Sequence, residues 1–326
     1  MRRRTWLRQS AGFAVAATSA PWLLGCSDEP RLTVAFHPWP GYAPLHLADH
    51  LGWWEDGPLA ARRTASASAS RMALAEGHAQ AAALTLDETL QSIANGTPLR
   101  IVAVFNQSLG ADVVLARPGF ETPSRWRGAR LGLESGAVGQ LMADSWLQHH
   151  GLPSSHVQAV HLTYDEHTRA WQRGDVDLLV TCEPVASHLR GLGAIRVFDS
   201  SQLPAQRPIL DVLAVHRDAL RQHAGAVRTL VGHIFLAQRH LHAQSLDAAY
   251  RLAPWLDLPR SRVWTAFSGL RLTDWVENRR WLIGDPPPML IAAQSLCEVL
   301  QKIPLPATPL PAKLIARQFL PFEEPL

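Results

Sequence analysis

Aromatic, acidic and small hydroxyl side chains recur in this sequence directly after apolar, strand-like runs. The first such run, at residues 32–36, is followed by the loop His-Pro-Trp-Pro-Gly-Tyr-Ala-Pro at 37–44. Its Pro and Gly residues make the loop stiff, so that Trp39 and Tyr42, on either side of Gly41, offer flat surfaces to a ligand at low entropic cost. The loop is predicted either to contact a ligand or to anchor itself in the core.

Polar residues at two further strand ends, and one inside a strand, are candidates for ligand contacts. Thr85 and Asp87 follow the buried strand predicted at 79–84, and Glu183 follows the one at 176–181. Glu183 either caps the helix that Pro184 opens or accepts hydrogen bonds from a ligand. Asp211 lies within an apolar strand, where a carboxylate requires a polar partner, either a ligand or a hinge hydrogen bond.

Two stretches of small residues could contribute backbone or hydroxyl groups. Ser66 and Ser68 alternate with alanines before a helix, and capping that helix is their favoured role, with ligand binding as the alternative. Ser135, Gly136 and Ala137 lie between a strand and a helix, where backbone N–H groups could hold an anion or a carbonyl. An ordinary Gly-rich turn is the other interpretation, and the GxGxxG spacing of a dinucleotide site is absent.

The same residues argue against metal, cofactor and enzymatic chemistry. The chain has 15 histidines but no HExxH motif, so no metal site is predicted. Only two lysines occur, Lys302 and Lys313, which leaves residues 31–300 without the amine that a pyridoxal phosphate enzyme requires. A serine hydrolase elbow of the form GxSxG is also absent. We therefore predict a protein that is not an enzyme and uses no cofactor.

The charge and the first 25 residues indicate export. Four arginines lie in this segment, and without them 27 basic residues face 28 acidic ones, so no nucleic-acid partner is expected. A basic start followed by an apolar run at 11–24 is typical of a signal peptide, and the run is too short to span a bilayer. Residues 3–8 resemble a twin-arginine export signal. Residues 23–26, Leu-Leu-Gly-Cys, resemble a lipobox and predict lipidation of Cys26, with 26–30 as a short tether.

Apolar strands alternate with amphipathic helices from residue 32 onward, which indicates a parallel α/β architecture. Residues 74–81 and 171–178 echo each other as helix end, Gly and strand, with Asp87 and Glu183 following the two strands. This echo predicts two similar units facing one cleft, with ligands at the carboxyl ends of the strands. Beyond residue 215 the pattern is helical, at 224–242, 246–252, 260–267, 272–282 and 289–300. Cys182 and Cys297 are predicted to be buried free thiols.

The order and spacing of several segments resemble the binding proteins of nitrate, sulfonate, taurine and thiamine-pyrimidine-precursor importers. The likeness extends over about residues 31–220 and weakens in the helical last third. A departure is Gln80, where the family's Gly-x-x-Asp pattern has Asp. The segments that carry the likeness are 34–48, 72–77, 96–102, 108–112, 126–132, 174–177 and 183–184.

This resemblance implies a two-lobed periplasmic binding protein of the type II kind, with doubly wound sheets and a cleft between the lobes. Lobe one would comprise 31–115 and 211–326, and lobe two 116–210. Hinge closure would capture a small solute for delivery to an ABC permease and its ATPase. The protein would be a lipid-anchored monomer at the periplasmic or outer face of a membrane. The acids favour a neutral or amine-bearing flat ligand stacked on Trp39 or Tyr42, and sulfonate-type anions remain an alternative. A lipid-anchored sensor and, less favoured, a pyrimidine-precursor enzyme are the competing functions.

Overall fold

The computed structural model describes residues 31–134, 137–300 and 313–323, and the side chains of 137, 299 and 300 lie outside this description. The α/β fold has two mixed sheets with helices on both faces. The strands are β1 Leu32–Phe36, β2 Leu59–Arg63, β3 Ala81–Thr85, β4 Leu99–Ser108, β5 Asp112–Ala116, β6 Arg130–Leu133, β7 Gln158–His161, β8 Leu178–Cys182, β9 Ile195–Asp199, β10 Ile209–His216 and β11 Leu270–Leu272. The predicted signal peptide and Cys26 fall outside the described residues.

The helices follow the amphipathic segments of the sequence. They are α1 Ala43–His50, α2 Ala67–Ala75, α3 Leu86–Ala94, α4 Ala137–His149, α5 His167–Arg173, α6 Val185–Gly191, α7 Ala219–Gln222, α8 Ala224–Ala243, α9 Ser245–Trp255, α10 Trp275–Leu282 and α11 Pro288–Leu300. The helix predicted at 260–267 is instead two short 3-10 helices, Arg260–Arg262 and Trp264–Phe267. No helix among the described residues is both long and apolar enough to span a bilayer.

The first sheet has the strand order β11-β4-β10-β3-β1-β2, and β10 runs antiparallel to both of its neighbours. Alternate residues of its strands face opposite layers of helices. Val34 and Ala83 belong to the larger core with α1 and α8, whereas Ala35 and Ala82 pack toward α2. The sheet is therefore covered on both faces, which explains why its central strands are almost entirely apolar.

The second sheet has the order β7-β6-β8-β5-β9, and β5 runs antiparallel to β8 and β9. Helix α4 packs on one face, while α5 and α6 cover the other through Trp171 and Leu189. The chain enters this sheet between β4 and β5 and leaves it between β9 and β10. Both β5 and β10 thus begin at the sheet edge where the parallel strands end.

Candidate functional site

Asp211 lies at the centre of the candidate site, near the start of β10. It is 4% exposed, and its Oδ2 accepts a hydrogen bond from Trp39 Nε1 at 2.8 Å. Its Oδ1 accepts from the Tyr42 hydroxyl at 2.9 Å. Burial raises the pKa of Asp211 to about 6, although the donors Trp39, Asn106 and Tyr42 oppose this shift. The hydrogen-bond donors that Asp211 requires inside an apolar strand are thus Trp39 and Tyr42, from the loop that follows β1.

The loop that holds these two aromatic residues is shaped by its Pro and Gly content. Pro40–Tyr42 forms a 3-10 helix that leads into α1, with proline in its first turn. Tyr42 is 1% exposed and packs edge-on against Phe105 at 5.5 Å and His37 at 5.2 Å. It therefore presents no free face for stacking in this structure, whereas the half-buried Trp39 ring retains some exposure.

Only glycine fits at position 41, because side-chain nitrogen atoms of Asn106 and Trp39 lie close to its Cα. A Cβ added there would lie 2.1 Å from Asn106 Nδ2 and 2.6 Å from Trp39 Nε1. Either contact is shorter than any two such atoms tolerate, so a larger residue would displace one of the two side chains. Gly41 thereby holds Trp39 in reach of Asp211.

Asn106 completes this part of the site and was missed in the sequence. It lies opposite Asp211 in the register of β4 and β10 and is 1% exposed. Its amide acts on the Asp211 carboxyl, yet Nδ2 has no hydrogen bond of acceptable geometry within the described residues. The run Asn106-Gln107-Ser108, polar after an apolar strand, is the signal that could have identified it.

Thr85 ends β3 beside Asp211 on the first sheet, and Asp87 follows it in the first turn of α3. Thr85 is opposite Asp211 in the register of β3 and β10, and it caps α3 in a reciprocal capping box with Glu88. Its hydroxyl donates to Asp87 Oδ1 at 2.5 Å, and Gln91 Nε2 approaches Oδ2 at 3.4 Å. Burial, and next the Asp87 charge, raise the pKa of Glu88.

The second sheet contributes its own polar residues at the facing edge. Asp112, the first residue of β5, is 9% exposed and pairs with Cys182 in the register of β5 and β8. Burial raises its pKa to about 7, and the charges of Asp211, Asp87 and Glu134 add to the shift. Asp211 belongs to β10 of the first sheet and Asp87 to α3, the helix that follows β3, so the charges acting on Asp112 include ones from the other half of the molecule. We call Asp87, Asp112, Asp211 and Glu134 the acid cluster.

Glu183 and its surroundings close this side. Its backbone N–H donates to Ala111 O at 3.2 Å, and its Oε2 accepts from Ser187 N at 3.1 Å in the first turn of α6. The predicted capping interaction is thus present. Tyr164 donates to Glu183 O at 3.3 Å. Burial, followed by the Asp112 and Glu134 charges, raises the pKa of Cys182, so this thiol stays protonated.

The remaining predicted residues lie elsewhere or outside the described residues. Ser66 is exposed and accepts a hydrogen bond from Ala69 N at 3.2 Å, the capping role that the sequence favoured. Ser68 is exposed on α2. Ser135 and Gly136 are outside the described residues, and Ala137 begins α4. Ligand contacts by these residues stay predictions.

The basic side chains of the described residues that lie nearest the acid cluster are engaged elsewhere or neutral at pH 7. Arg62 and Arg63 at the end of β2 are exposed, and Arg63 pairs with Asp49. Burial lowers the pKa of His37 to about 4 and that of His167 to about 4, so both rings are neutral at pH 7. The Arg71 charge opposes the rise in the pKa of Glu88, and Arg71 Nε–H donates a hydrogen bond to Ser92 Oγ. In the described part of the chain, no group of three His, Cys, Asp or Glu side chains is placed to hold a metal ion.

The two-sheet architecture is that of solved periplasmic binding proteins. It matches the ligand-binding component of an ABC-type import system from Staphylococcus aureus, solved with zinc bound, with a TM-score of 0.72 and 13% identity over 89% of this chain and 98% of that one. It also matches the periplasmic aliphatic sulphonate binding protein SsuA from Escherichia coli, with a TM-score of 0.69 and 15% identity over 84% and 92%.

An enzyme shares the same fold. The desulfurization enzyme DszB gives a TM-score of 0.65 and 17% identity, over 89% of this chain and 97% of that one. At such identities these likenesses establish the fold alone. A comparison with curated proteins finds no significant match.

The family is established by sequence. The family described as NMT1/THI5 like matches residues 39–234, which is more than half of the chain. The chain therefore belongs to the NMT1/THI5-like family, in agreement with the resemblance found in the sequence.

Proposed function

We propose that the chain is the solute-binding protein of an ABC importer and captures a small organic molecule between its two sheets. The observation that carries this proposal is the meeting of strand ends. Asp211 of β10 lies opposite Thr85, the last residue of β3, and Asp112 of β5 lies opposite Cys182, the last residue of β8. The hydroxyls of Ser108 and Ser200 join the two crossovers at 2.7 Å. The polar strand ends of the two sheets thus adjoin each other, and a molecule held between them would be enclosed when the sheets approach. The lobes would be 31–115 with 211–326, and 116–210.

Transport is favoured over the two competing functions. Structural neighbours of this chain include import components, and their fold encloses solutes without chemistry, whereas DszB shows that catalysis also occurs on it. Residues 31–300 contain no lysine for the Schiff base that a pyridoxal phosphate enzyme requires, which makes this alternative the least favoured. A sensor would bind the solute in the same way, and permease and ATPase genes beside this one would favour transport.

Ligand-dependent melting of the full chain tests this function. A panel of alkanesulfonates, taurine, nitrate, bicarbonate, aminopyrimidines and organic amines should contain a compound that raises the melting temperature. Binding to the folded state alone adds about 2.7 kcal/mol at 100 times the Kd. The Gly41→Ala variant should lose most of this response, because its Cβ displaces Trp39 or Asn106. The control is Gly225→Ala, where the added Cβ meets no atom within 4 Å. A hit that Gly41→Ala retains in full would place the ligand elsewhere.

We further infer that the chain is held at the periplasmic or outer face of a membrane by lipids on Cys26. The support is the lipobox-like sequence at residues 23–26 and the basic, apolar leader before it. Expression of Cys26→Ser in the native host should shift the protein from the membrane fraction to the soluble fraction. The control is Cys297→Ser, far along the chain in α11, which should stay with membranes. Membrane retention of Cys26→Ser would refute the anchor.

A further inference from the structure

Helix α9 is apolar on both of its sides. Its inner side packs into the core through Ala248, Ala249, Leu252 and Ala253. Its outer side carries Leu246, Tyr250 and Pro254, which follow one another at intervals of one helical turn and therefore form one stripe. Leu246 is 87% exposed and Tyr250 is 55% exposed. A surface helix usually turns polar residues outward, so this stripe is an apolar surface that no described residue covers.

The chain that follows α9 extends this surface with aromatic and basic groups. Arg260 lies over the Tyr250 ring, with 4.2 Å between its guanidinium carbon and the ring centroid. Arg262 is exposed, and Trp264, in the next 3-10 helix, is 39% exposed. We call the following residues the α9 surface: Leu246, Tyr250, Pro254, Arg260, Arg262 and Trp264.

The first described residue lies on the same side of the first sheet. Arg31 Nη1 donates to Glu55 O at 3.1 Å, in the turn that follows α1. The end of α1 in turn contacts α9, since Arg251 Nη1 lies 3.1 Å from His50 Nδ1 and donates to His50 O at 3.4 Å. Both α8 and α9 pack against α1. Residue 31, to which the tether from Cys26 is joined, therefore belongs to the side of the molecule that α9 covers.

The length of the tether limits how far this side can be from a membrane. Residues 26–30 span at most about 18 Å when fully extended. Helix α8, with 20 residues, is about 30 Å long. A lipid group on Cys26 would thus hold residue 31 closer to the bilayer than the length of one helix of the same layer. A face of the molecule near residue 31 then lies against the bilayer.

We propose that the α9 surface lies on the lipid bilayer, with Leu246, Tyr250 and Trp264 at the boundary between headgroups and acyl chains. Tyrosine and tryptophan rings are enriched at that boundary, and arginine side chains can lay their stems on apolar surface while the charge reaches the headgroups. This inference rests on the proposed lipid anchor at Cys26. It adds a second contact, which determines the side of the molecule that faces the membrane.

Charge has a smaller part in this contact than apolar burial. Arg260 and Arg262 attract anionic headgroups, but the acids Glu55, Asp56 and Asp257 are exposed on the same side of the first sheet. We therefore expect binding to neutral vesicles as well as to anionic ones. The preference for anionic vesicles should be about fivefold, the effect of one arginine near a negatively charged membrane surface.

Vesicle sedimentation tests this contact without the lipid anchor. The protein is the mature chain from residue 27, which contains every described residue and lacks both Cys26 and the leader. It is mixed with vesicles of phosphatidylcholine, alone or with one quarter phosphatidylglycerol. Leu246→Ser and Tyr250→Ser should each lower the partition coefficient about tenfold, because each removes a large apolar side chain from the boundary. The melting temperature of Leu246→Ser should match that of wild type, since this side chain is 87% exposed.

The matched control is Met72→Ser, which removes an apolar side chain that is 57% exposed on α2. Helix α2 covers the opposite face of the first sheet from α1 and α9. Met72→Ser should therefore bind vesicles as wild type does, although it loses an exposed apolar side chain of similar size.

The outcomes separate this inference from the anchor on which it rests. Absence of partition at millimolar lipid, or an equal loss in Met72→Ser, overturns the bilayer contact. A concentration-dependent dimer in analytical ultracentrifugation that Leu246→Ser abolishes also overturns it, because a second copy of the chain would then cover the α9 surface. These results leave the Cys26 anchor and solute capture standing, since Cys26→Ser fractionation and the melting panel test those separately. Vesicle binding that Leu246→Ser weakens and Met72→Ser retains supports the contact, whichever fraction holds Cys26→Ser.

Discussion

Asp112 and Asp211 occupy equivalent places at the residue scale, because each lies at the start of a strand that has just crossed from the other sheet. β5 follows the crossover after β4, and β10 follows the crossover after β9. Both strands are antiparallel to their neighbours, so their first residues lie at the edge where the parallel strands end. The two crossovers thus deliver one buried carboxylate to each side of the site.

The sequence revealed only one of this pair. Asp211 is identifiable because it is flanked by apolar residues on both sides, in Ile-Leu-Asp-Val-Leu. Asp112 follows Gly110 and Ala111 and looks like the polar start of an ordinary strand, while Asn106 looks like a polar strand end. Their burial depends on which strands cross between the sheets, and local sequence carries little information about that.

The raised pKa values of the acid cluster predict how stability depends on pH. The pKa of Asp112 is about 7 in the folded chain and 3.8 in the reference state, so between about pH 4 and pH 7 the folded chain holds more protons than the unfolded chain. The stability of the empty protein therefore falls as the pH rises through this window. Asp112→Asn should remove much of this dependence and stabilise the protein at pH 8 by on the order of 1–4 kcal/mol.

Urea denaturation of the empty chain at pH 5 and pH 8 measures this effect. Asp112→Asn should differ little from wild type near pH 4–5, where the carboxyl is protonated, and Asp56→Asn should match wild type at both pH values. If Asp112→Asn destabilised the protein equally at pH 5 and pH 8, the prediction would be wrong, because ionisation of Asp112 would then carry no net cost in the ligand-free protein.

The secondary-structure elements were predicted well where apolar periodicity was strong. The central strands β1 and β3 lie within two residues of their predicted positions at 32–36 and 79–84, because they are buried on both faces. The edge strands β2 and β11 were missed. β2 reads Leu-Ala-Ala-Arg-Arg, with both arginines exposed, and such a strand is stabilised by pairing with β1 more than by its own composition.

Helix α3 links an element boundary to the site. Thr85 Oγ1 accepts from Glu88 N at 3.3 Å and donates to Asp87, so one hydroxyl caps the helix and fixes an acid of the cluster. Thr85→Ala should lower the free energy of unfolding by about 1 kcal/mol, the usual effect of losing an N-cap, and should weaken ligand binding.

Thr85→Ser is the matched variant, since it keeps the hydroxyl and removes only a methyl group. It should retain most of the stability and affinity, as measured by urea denaturation and by titration with the best ligand of the melting panel. A Thr85→Ser variant as impaired as Thr85→Ala would assign the effect to packing of the methyl group rather than to the cap.

At the scale of the whole molecule, the two crossovers are joined to each other by hydrogen bonds. The hydroxyls of Ser108 and Ser200 lie 2.7 Å apart, and Ser200 Oγ also accepts from Gly110 N at 2.7 Å. Asp112 N donates to Ser108 Oγ at 3.2 Å. Gly269, with φ of +77°, packs directly against Gly110, so the helical C-terminal region also touches this joint. Motion of the sheets relative to each other would have to pass through these contacts.

Helix α11 adds a second connection across the molecule, because it packs against α3 of the first sheet and α4 of the second. Arg207, between β9 and β10, donates its Nε to Ser295 Oγ of α11 at 3.1 Å. The last third of the chain resembles the family only loosely in sequence. The packing of α11 between the two halves could not be predicted, since it depends on contacts such as Arg207–Ser295, 88 positions apart along the chain.

Ser200→Ala tests whether the hydroxyl pair holds the crossovers together. The substitution leaves Gly110 N without its acceptor, so the Gly110 amide should exchange its hydrogen at least tenfold faster, and stability should fall by about 1–2 kcal/mol. Amides in the centres of β3 and β10 should keep their relative protection, because their ladders are intact. The control is Ser201→Ala, which removes a bond to Asp199 within one crossover and leaves the Ser108–Ser200 pair in place. Unchanged Gly110 exchange in Ser200→Ala would mean that backbone packing against Gly269, rather than the serine pair, fixes the geometry of the two crossovers.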